Sequence, residues 1–223
     1  MVHLALGLQD RMVGTATWTD RIRPNLAPSH GENRDDESGD GPRTKPLRLS
    51  TIQTEVRQLA QIFDVRAKGE ALAADLQRRL EQVRADNAAR DPKEISIASW
   101  FANTESPYVA GCCGSSGIIS RAAGVRNVFA DTQDEFPQVS WETMLDRDPT
   151  VLVLGDLQRK SQTGDKLADK IRFLETDPVT KRLTAVRKKR YVILNGADMN
   201  PSIRTVDGAE KVSAGIRRLG LVR

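Results

Sequence analysis

Residues 122–155, AAGVRNVFADTQDEFPQVSWETMLDRDPTVLVLG, decide the fold class, because a helix end, a polar loop, a capped helix and a buried strand follow one another there. Ser140 is a good N-cap, Trp141 to Leu145 reads as a short helix with Glu142 in its first turn, and Asp148-Pro149 is the stop. Thr150 to Leu154 is then an apolar, β-branched run of buried-strand length. Residue chemistry alone gives an α/β unit and no activity.

Working outward, the same alternation continues. From Thr51 to about Ala89 the positions Ile52, Val56, Leu59, Ile62 and Phe63, then Ala71, Leu72, Leu76, Leu80 and Val83, recur at helical spacing, with a break near Asp64-Val65. Glu94 to Trp100 reads as a strand. Tyr108-Val109-Ala110 begins a turn into GCCGSSGIISRAAG, where Gly111, Gly114 and Gly117 allow close backbone approach to a ligand or a neighbouring strand, and Ser115 or Ser116 is placed to cap a helix through Ala123. Further on, Lys166 to Leu174 is helical, Asp177-Pro178 breaks it, Tyr191 to Leu194 is a strand, and Thr205 to Leu219 is an amphipathic helix.

The run AGVRNVFAD, then QVSWE, DRDPTVLVLG and AVRKKRYVILNG, resembles the C-terminal lobe of the periplasmic-binding-protein family for iron siderophores and cobalamin, which feeds ABC importers. The resemblance covers most of residues 51–221, and LALGLQDRMVGTATW is similar to the family's first strand-helix-strand passage. It implies an α/β fold of two lobes joined by a long helix, with the C-terminal lobe complete and the N-terminal lobe reduced. The domain reading is a remnant of the N-terminal lobe over 1–23, a disordered linker over 24–50, bridging helices over 51–90 and a C-terminal α/β lobe over 91–223.

The linker expectation comes from PNLAPSHGENRDDESGDGPRTKPLRLS, which is almost free of apolar residues. In the family, the rest of the N-terminal lobe stands at this place, including a helix-strand unit mirroring SWETMLDRDPTVLVLG. Met1 is followed directly by VHLALGLQDRMVG, which has neither a basic leader nor a cleavage site. Because family members are secreted or lipid-anchored outside the cytoplasmic membrane, the resemblance predicts a start upstream of Met1 or a shortened gene. A genuine start at Met1 instead predicts a cytoplasmic chain.

The 223 residues suffice for one or two domains, and the net charge of +4 arises from 34 basic against 30 acidic residues. That excess is small and dispersed. The one basic cluster, Arg187-Lys188-Lys189-Arg190, reads as a solvated turn before a strand, so nucleic acid is not an expected partner. No G-x-S-x-G, H-E-x-x-H or phosphate-loop motif occurs, and two histidines offer no Ser-His-Asp arrangement. The expectation is a protein that is no enzyme, with no resident cofactor or metal. Cys112 and Cys113 are adjacent and cannot join distant parts of the fold; a bond between them would strain their peptide. They read as structural thiols or as a ligand contact.

Aromatics are only 4% of the chain, so those at predicted strand ends and loops matter most. Trp18, Trp100, Phe101, Tyr108, Arg159 and Arg204 fall where a binding cleft would be lined, and Asn200 and Ser202 in GADMNPSIR would add hydrogen bonds. The bland readings stand beside these: Trp100 and Phe101 as core residues closing a strand, Arg159 and Arg204 as solvated surface. By resemblance, Glu142 matches the position that meets an Arg pocket on the importer's membrane subunits, while a Glu in a first helical turn also suits the helix dipole. The implied function is a substrate-binding component of an ABC importer, taking a ferric siderophore, haem or cobalamin. The alternative is a remnant lobe with an interaction role and no solute.

Overall fold

The computed structural model describes Leu6 and residues 45–157 and 163–222. Two helices come first, α1 (Leu49–Ile62) and α2 (Arg66–Asp86), separated where the helical spacing breaks. Asp64 there adopts a left-handed backbone with φ of 55°. The helices pack closely because α2 opens with Gly69, where an added Cβ would lie 2.3 Å from that of Ala60.

The sheet is built on three parallel strands, β1 (Ser96–Ala102), β4 (Val151–Asp156) and β5 (Tyr191–Asn195). Two short strands, β2 (Tyr108–Val109) and β3 (Arg126–Asn127), share the outer side of β1, giving the order β2-β1-β4-β5 with β3 also on β1. β2 runs antiparallel against the end of β1 (Ala102 opposite Tyr108), and β3 runs parallel at its start (Ser96 opposite Arg126).

Parallel strands read as unbroken apolar runs when both faces are covered, and here each strand divides its side chains between two cores. Ile97, Phe101, Val151, Val153, Val192 and Leu194 join one core. It is completed by α1, α2, α3 (Ser115–Ala122) and α8 (Thr205–Arg218). Ala98, Trp100, Leu152 and Leu154 face the other core, with α4 (Trp141–Arg147), α5 (Leu167–Thr176) and α6 (Thr184–Arg187). The result is an α/β/α sandwich, the expected fold class. A short α7 (Gly196–Met199) follows β5 directly.

The capped helix and the buried strand of the deciding stretch fold as read, while Arg126-Asn127, inside the expected loop, is the short strand β3. Ser140 Oγ accepts from the Thr143 N–H at 3.1 Å, and α4 ends at Asp148 in a left-handed conformation with φ of 32°. Two local expectations need correction. Ser115 and Ser116 do not cap α3: Gly114 is the N-cap and makes no side-chain bond. Ser115 Oγ instead meets Thr205 Oγ1 at 2.9 Å, and Ser116 Oγ donates to the Gly111 carbonyl at 3.2 Å. The serines lie inside the first turn, where tertiary partners outcompete the helix end. Tyr108-Val109 is a strand as well as a turn entry, because β1 offers it an unpaired edge.

The expectations for residues 1–23 and for most of the 24–50 linker lie outside the described residues. Where described, Leu6 is fully buried against Ala60. The end of the expected linker is ordered: Leu47 and Leu49 are buried, and Leu47 N–H donates to the Cys113 carbonyl at 2.7 Å. The burial of these two leucines ties this end to the fold.

Candidate cleft edge at the carboxyl ends of the strands

Because β1, β4 and β5 run in one direction, Ala102, Asp156 and Asn195 end at one edge of the sheet. In open α/β sheets ligands bind in the crevice outside these carboxyl ends. Three segments form the edge here: 103–107, 157 with 163–166, and 196–204.

The first two segments are pinned to each other from beneath. Asn103 N–H donates to the Thr163 carbonyl at 2.9 Å and Leu157 N–H to the Asp165 carbonyl at 2.9 Å. Lys170, on α5, is completely buried and donates through Nζ to the Phe101 carbonyl at 2.6 Å and to the Gly164 carbonyl. Its ammonium also lies 5.1 Å from the centre of the Trp100 ring, a favourable cation–π placement. A buried ammonium needs such acceptors, since desolvation without them is costly.

The third segment is organised by an acid. Asn195 caps α7, accepting from Ala197 N–H at 2.9 Å, while Asp198 Oδ2 accepts from Asn195 N–H at 3.2 Å. The Asp198 side chain has no solvent exposure. Arg204 donates to its Oδ1 (Nε at 2.7 Å) and Lys211 Nζ to its Oδ2 at 2.5 Å. Burial alone would raise its pKa; the hydrogen bonds from Lys211 and Arg204 outweigh that and hold the carboxyl below the usual carboxylate range.

The sequence-predicted residues separate on this frame. Trp100 is fully buried, so of its two readings the packing supports the core one. It lies 4.8 Å from Trp141 edge to face, and its indole N–H donates to the carbonyls of Ala102 and Asn103 at 2.9 and 3.2 Å. Phe101 is 8% exposed and packs edge to face with Phe136 at 4.9 Å. Tyr108 is half-buried opposite Ala102, at the carboxyl edge. Arg204 is half-buried and committed to Asp198 rather than solvated. Ser202 is half-buried, accepting from Arg204 N–H at 3.1 Å, and Asn200 is exposed, donating to the Gly196 carbonyl at 3.2 Å. Trp18 and Arg159 lie outside the described residues.

Glu142 is exposed in the first turn of α4. That turn abuts the edge, since the neighbouring Trp141 indole donates to the Thr104 carbonyl at 2.6 Å. Sequence reading missed Lys170 and Asp198, although each left a signal. Lys170 stands on the apolar stripe of its helix, between Leu167 and Leu174, and Asn195-x-x-Asp198 has the spacing of a capping box. Among the described residues no helix is long and apolar enough to cross a membrane, and no cluster of three or more His, Cys, Asp or Glu side chains could hold a metal ion.

Residues 34–197, well over half of the chain, match the family profile described as periplasmic binding protein. No curated protein matches the chain. Among solved structures, a periplasmic binding protein from Veillonella parvula superposes with a TM-score of 0.66 at 21% identity, covering 75% of this chain and 56% of its own. A protein of the ABC-type Fe3+-hydroxamate transport system from Saccharomonospora viridis gives 0.68 at 22% identity, covering 80% and 59%. A periplasmic heme-binding protein from Roseiflexus gives 0.65 at 23% identity, covering 78% and 65%. The chain thus spans less than two thirds of the length of each of these three structures.

Proposed function

The chain belongs to the periplasmic binding protein family, and on that premise we propose that it is the substrate-binding component of an ABC importer, acting outside the cytoplasmic membrane on a ferric siderophore, haem or a related iron chelate. The observation that carries this reading is the family match over residues 34–197, falling on a lobe whose parallel strands present their carboxyl ends along one edge. The relatives that carry Fe3+-hydroxamate and heme in their descriptions support the solute class.

In this reading α2 is the bridging helix and residues 91–223 form one wall of the cleft. Asn200, Ser202 and Tyr108 supply polar contacts at the rim, while Trp100, Phe101 and Lys170 hold the loops from below. Arg204 contributes by fixing the 196–204 segment through Asp198, its remaining N–H groups being available to an anionic chelate. Glu142 is the docking group for the importer's membrane subunits.

The test is titration of the purified chain with a ferric hydroxamate, haemin and cobalamin, read by tryptophan fluorescence. Trp100 and Trp141 pack edge to face behind the 103–107 loop, so a chromophoric chelate seated at the edge would quench both. Saturable quenching beyond an inner-filter control by an iron chelate is expected. A folded chain with no saturable response would overturn solute binding and leave a lobe that serves another role.

A further inference from the structure

Cys112 and Cys113 are joined in a disulfide although they are neighbours in the chain. Disulfides stabilise a fold mainly by closing long loops in the unfolded state, and this one closes none. Its place in the molecule suggests chemistry instead. Cys112 lines a groove of about 250 Å³ that opens between α3 and the segment leading into β1.

The two sulfurs have different surroundings. Cys113 is 2% exposed, its carbonyl holds Leu47, and the neighbouring Gly114 is packed against the Glu135 carboxylate. Cys112 is half-buried and lines the groove, where Lys93, Arg121 and Arg126, all exposed, are the charged residues of the lining. Arg121 Nη1 and the Cys112 carbonyl flank Gly117, each 3.2 Å from where a Cβ on it would stand, and Cys112 Sγ itself lies 3.6 Å from the Asp134 carbonyl oxygen. Reactive cysteines occupy such electropositive, partly exposed places, whereas a buried partner sulfur is shielded from attack.

We propose that Cys112–Cys113 is a reversible dithiol–disulfide couple in which Cys112 exchanges with small thiols that carry carboxylates. The thiolate of such a molecule attacks Cys112 Sγ, forming a mixed disulfide. The Cys112–Cys113 bond breaks, and its electron pair leaves on the Cys113 sulfur, which takes up a proton. A second small thiolate attacks the outer sulfur of the adduct, releasing the external disulfide and leaving Cys112 reduced. Two small thiols are thereby oxidised to one disulfide while the pair gains two electrons and two protons. The external disulfide drives the reverse reaction. The cations of the groove attract the anionic reagent and favour Cys112 as the sulfur attacked.

The full chain is treated with reduced glutathione, which is anionic, and with cysteamine, which is cationic, at matched thiolate concentration, and adducts are trapped and mapped by peptide mass spectrometry. The expected adduct is on Cys112, and the rate ratio of glutathione to cysteamine exceeds that of the urea-unfolded chain by at least threefold. Arg126→Gln together with Lys93→Gln brings the ratio down to the unfolded value; both are exposed, so the fold survives, and Arg121→Gln serves as a second variant. Cys113→Ser treated with oxidised glutathione accumulates a lasting Cys112 adduct. An adduct on Cys113, a rate ratio equal to that of the unfolded chain, or a reduced pair that oxidised glutathione does not close again would each overturn the proposal.

Discussion

Replacing Asp198 with Asn tests whether the buried acid organises the cleft edge. Asn has nearly the same shape, but with its one oxygen accepting from the Asn195 N–H its NH2 faces the Arg204 donors, so the substitution removes the charge and one of the two acceptor oxygens. Breaking a fully buried ion pair costs about 3–5 kcal/mol. Here the partner side chains are 26% and 46% exposed (Arg204 and Lys211), so the released cations partly rehydrate, and the cost falls to about 2–3 kcal/mol. For a chain of this size that lowers Tm by about 5–10 °C. The pH dependence has a definite sign. The Lys211 and Arg204 hydrogen bonds, outweighing burial, hold the carboxyl below the ordinary carboxylate range in the folded state, so its contribution is complete above that range and is lost as pH falls through the depressed folded value. Urea unfolding of parent and variant at pH 7 and again near pH 3 measures both effects. A gap of at least 2 kcal/mol at pH 7 that narrows on acidification is expected. A gap under 0.5 kcal/mol at pH 7, or one that widens in acid, would refute the reasoning.

Three further substitutions probe the frame around the edge. Lys170→Met keeps the length of the buried side chain but leaves the Phe101 and Gly164 carbonyls without their donor, at a cost of about 2–4 kcal/mol; hydrogen exchange should quicken at Asn103, whose N–H bonds to Thr163, and unchanged protection there would argue against a clasp. Gly111→Ala places a Cβ 2.0 Å from the Asp134 carbonyl oxygen, and the forced shift should lower stability by about 1–3 kcal/mol, read as a drop in the urea midpoint. Glu142→Lys should leave stability within about 0.5 kcal/mol, as for other exposed sites; uptake in vesicles carrying the importer should fall at least tenfold, and undiminished uptake would remove Glu142 from the docking surface.

Much of this architecture was legible because it is written in local periodicity. Helical spacing located α1, α2 and α8 and the break at Asp64, and the apolar run Thr150 to Leu154 located β4, since side-chain period depends only on near neighbours. The Ser140 cap is likewise contained within three residues. The short strands were not legible in this way. Arg126-Asn127 and Tyr108-Val109 are too brief to show a period and are strands only because β1 has an edge to pair with.

The roles of individual side chains at the candidate site needed the assembled fold. Trp100 alternates along β1 in a manner that fits core or cleft equally well; the face occupied by Trp141 and Phe173 places it in the core. Arg204 looked like surface or ligand anchor until Asp198, six residues earlier, was found buried beneath it. Lys170 reaches the Phe101 carbonyl across 69 positions of sequence, a distance that no local pattern encodes. The sequence by itself determined the order and type of the main elements, because hydrogen bonding and burial within one helix or strand are short-range. Which charges are buried, which carbonyls they satisfy and which aromatic rings meet was decided by tertiary structure, because desolvation and packing depend on what comes from elsewhere in the chain to cover each group.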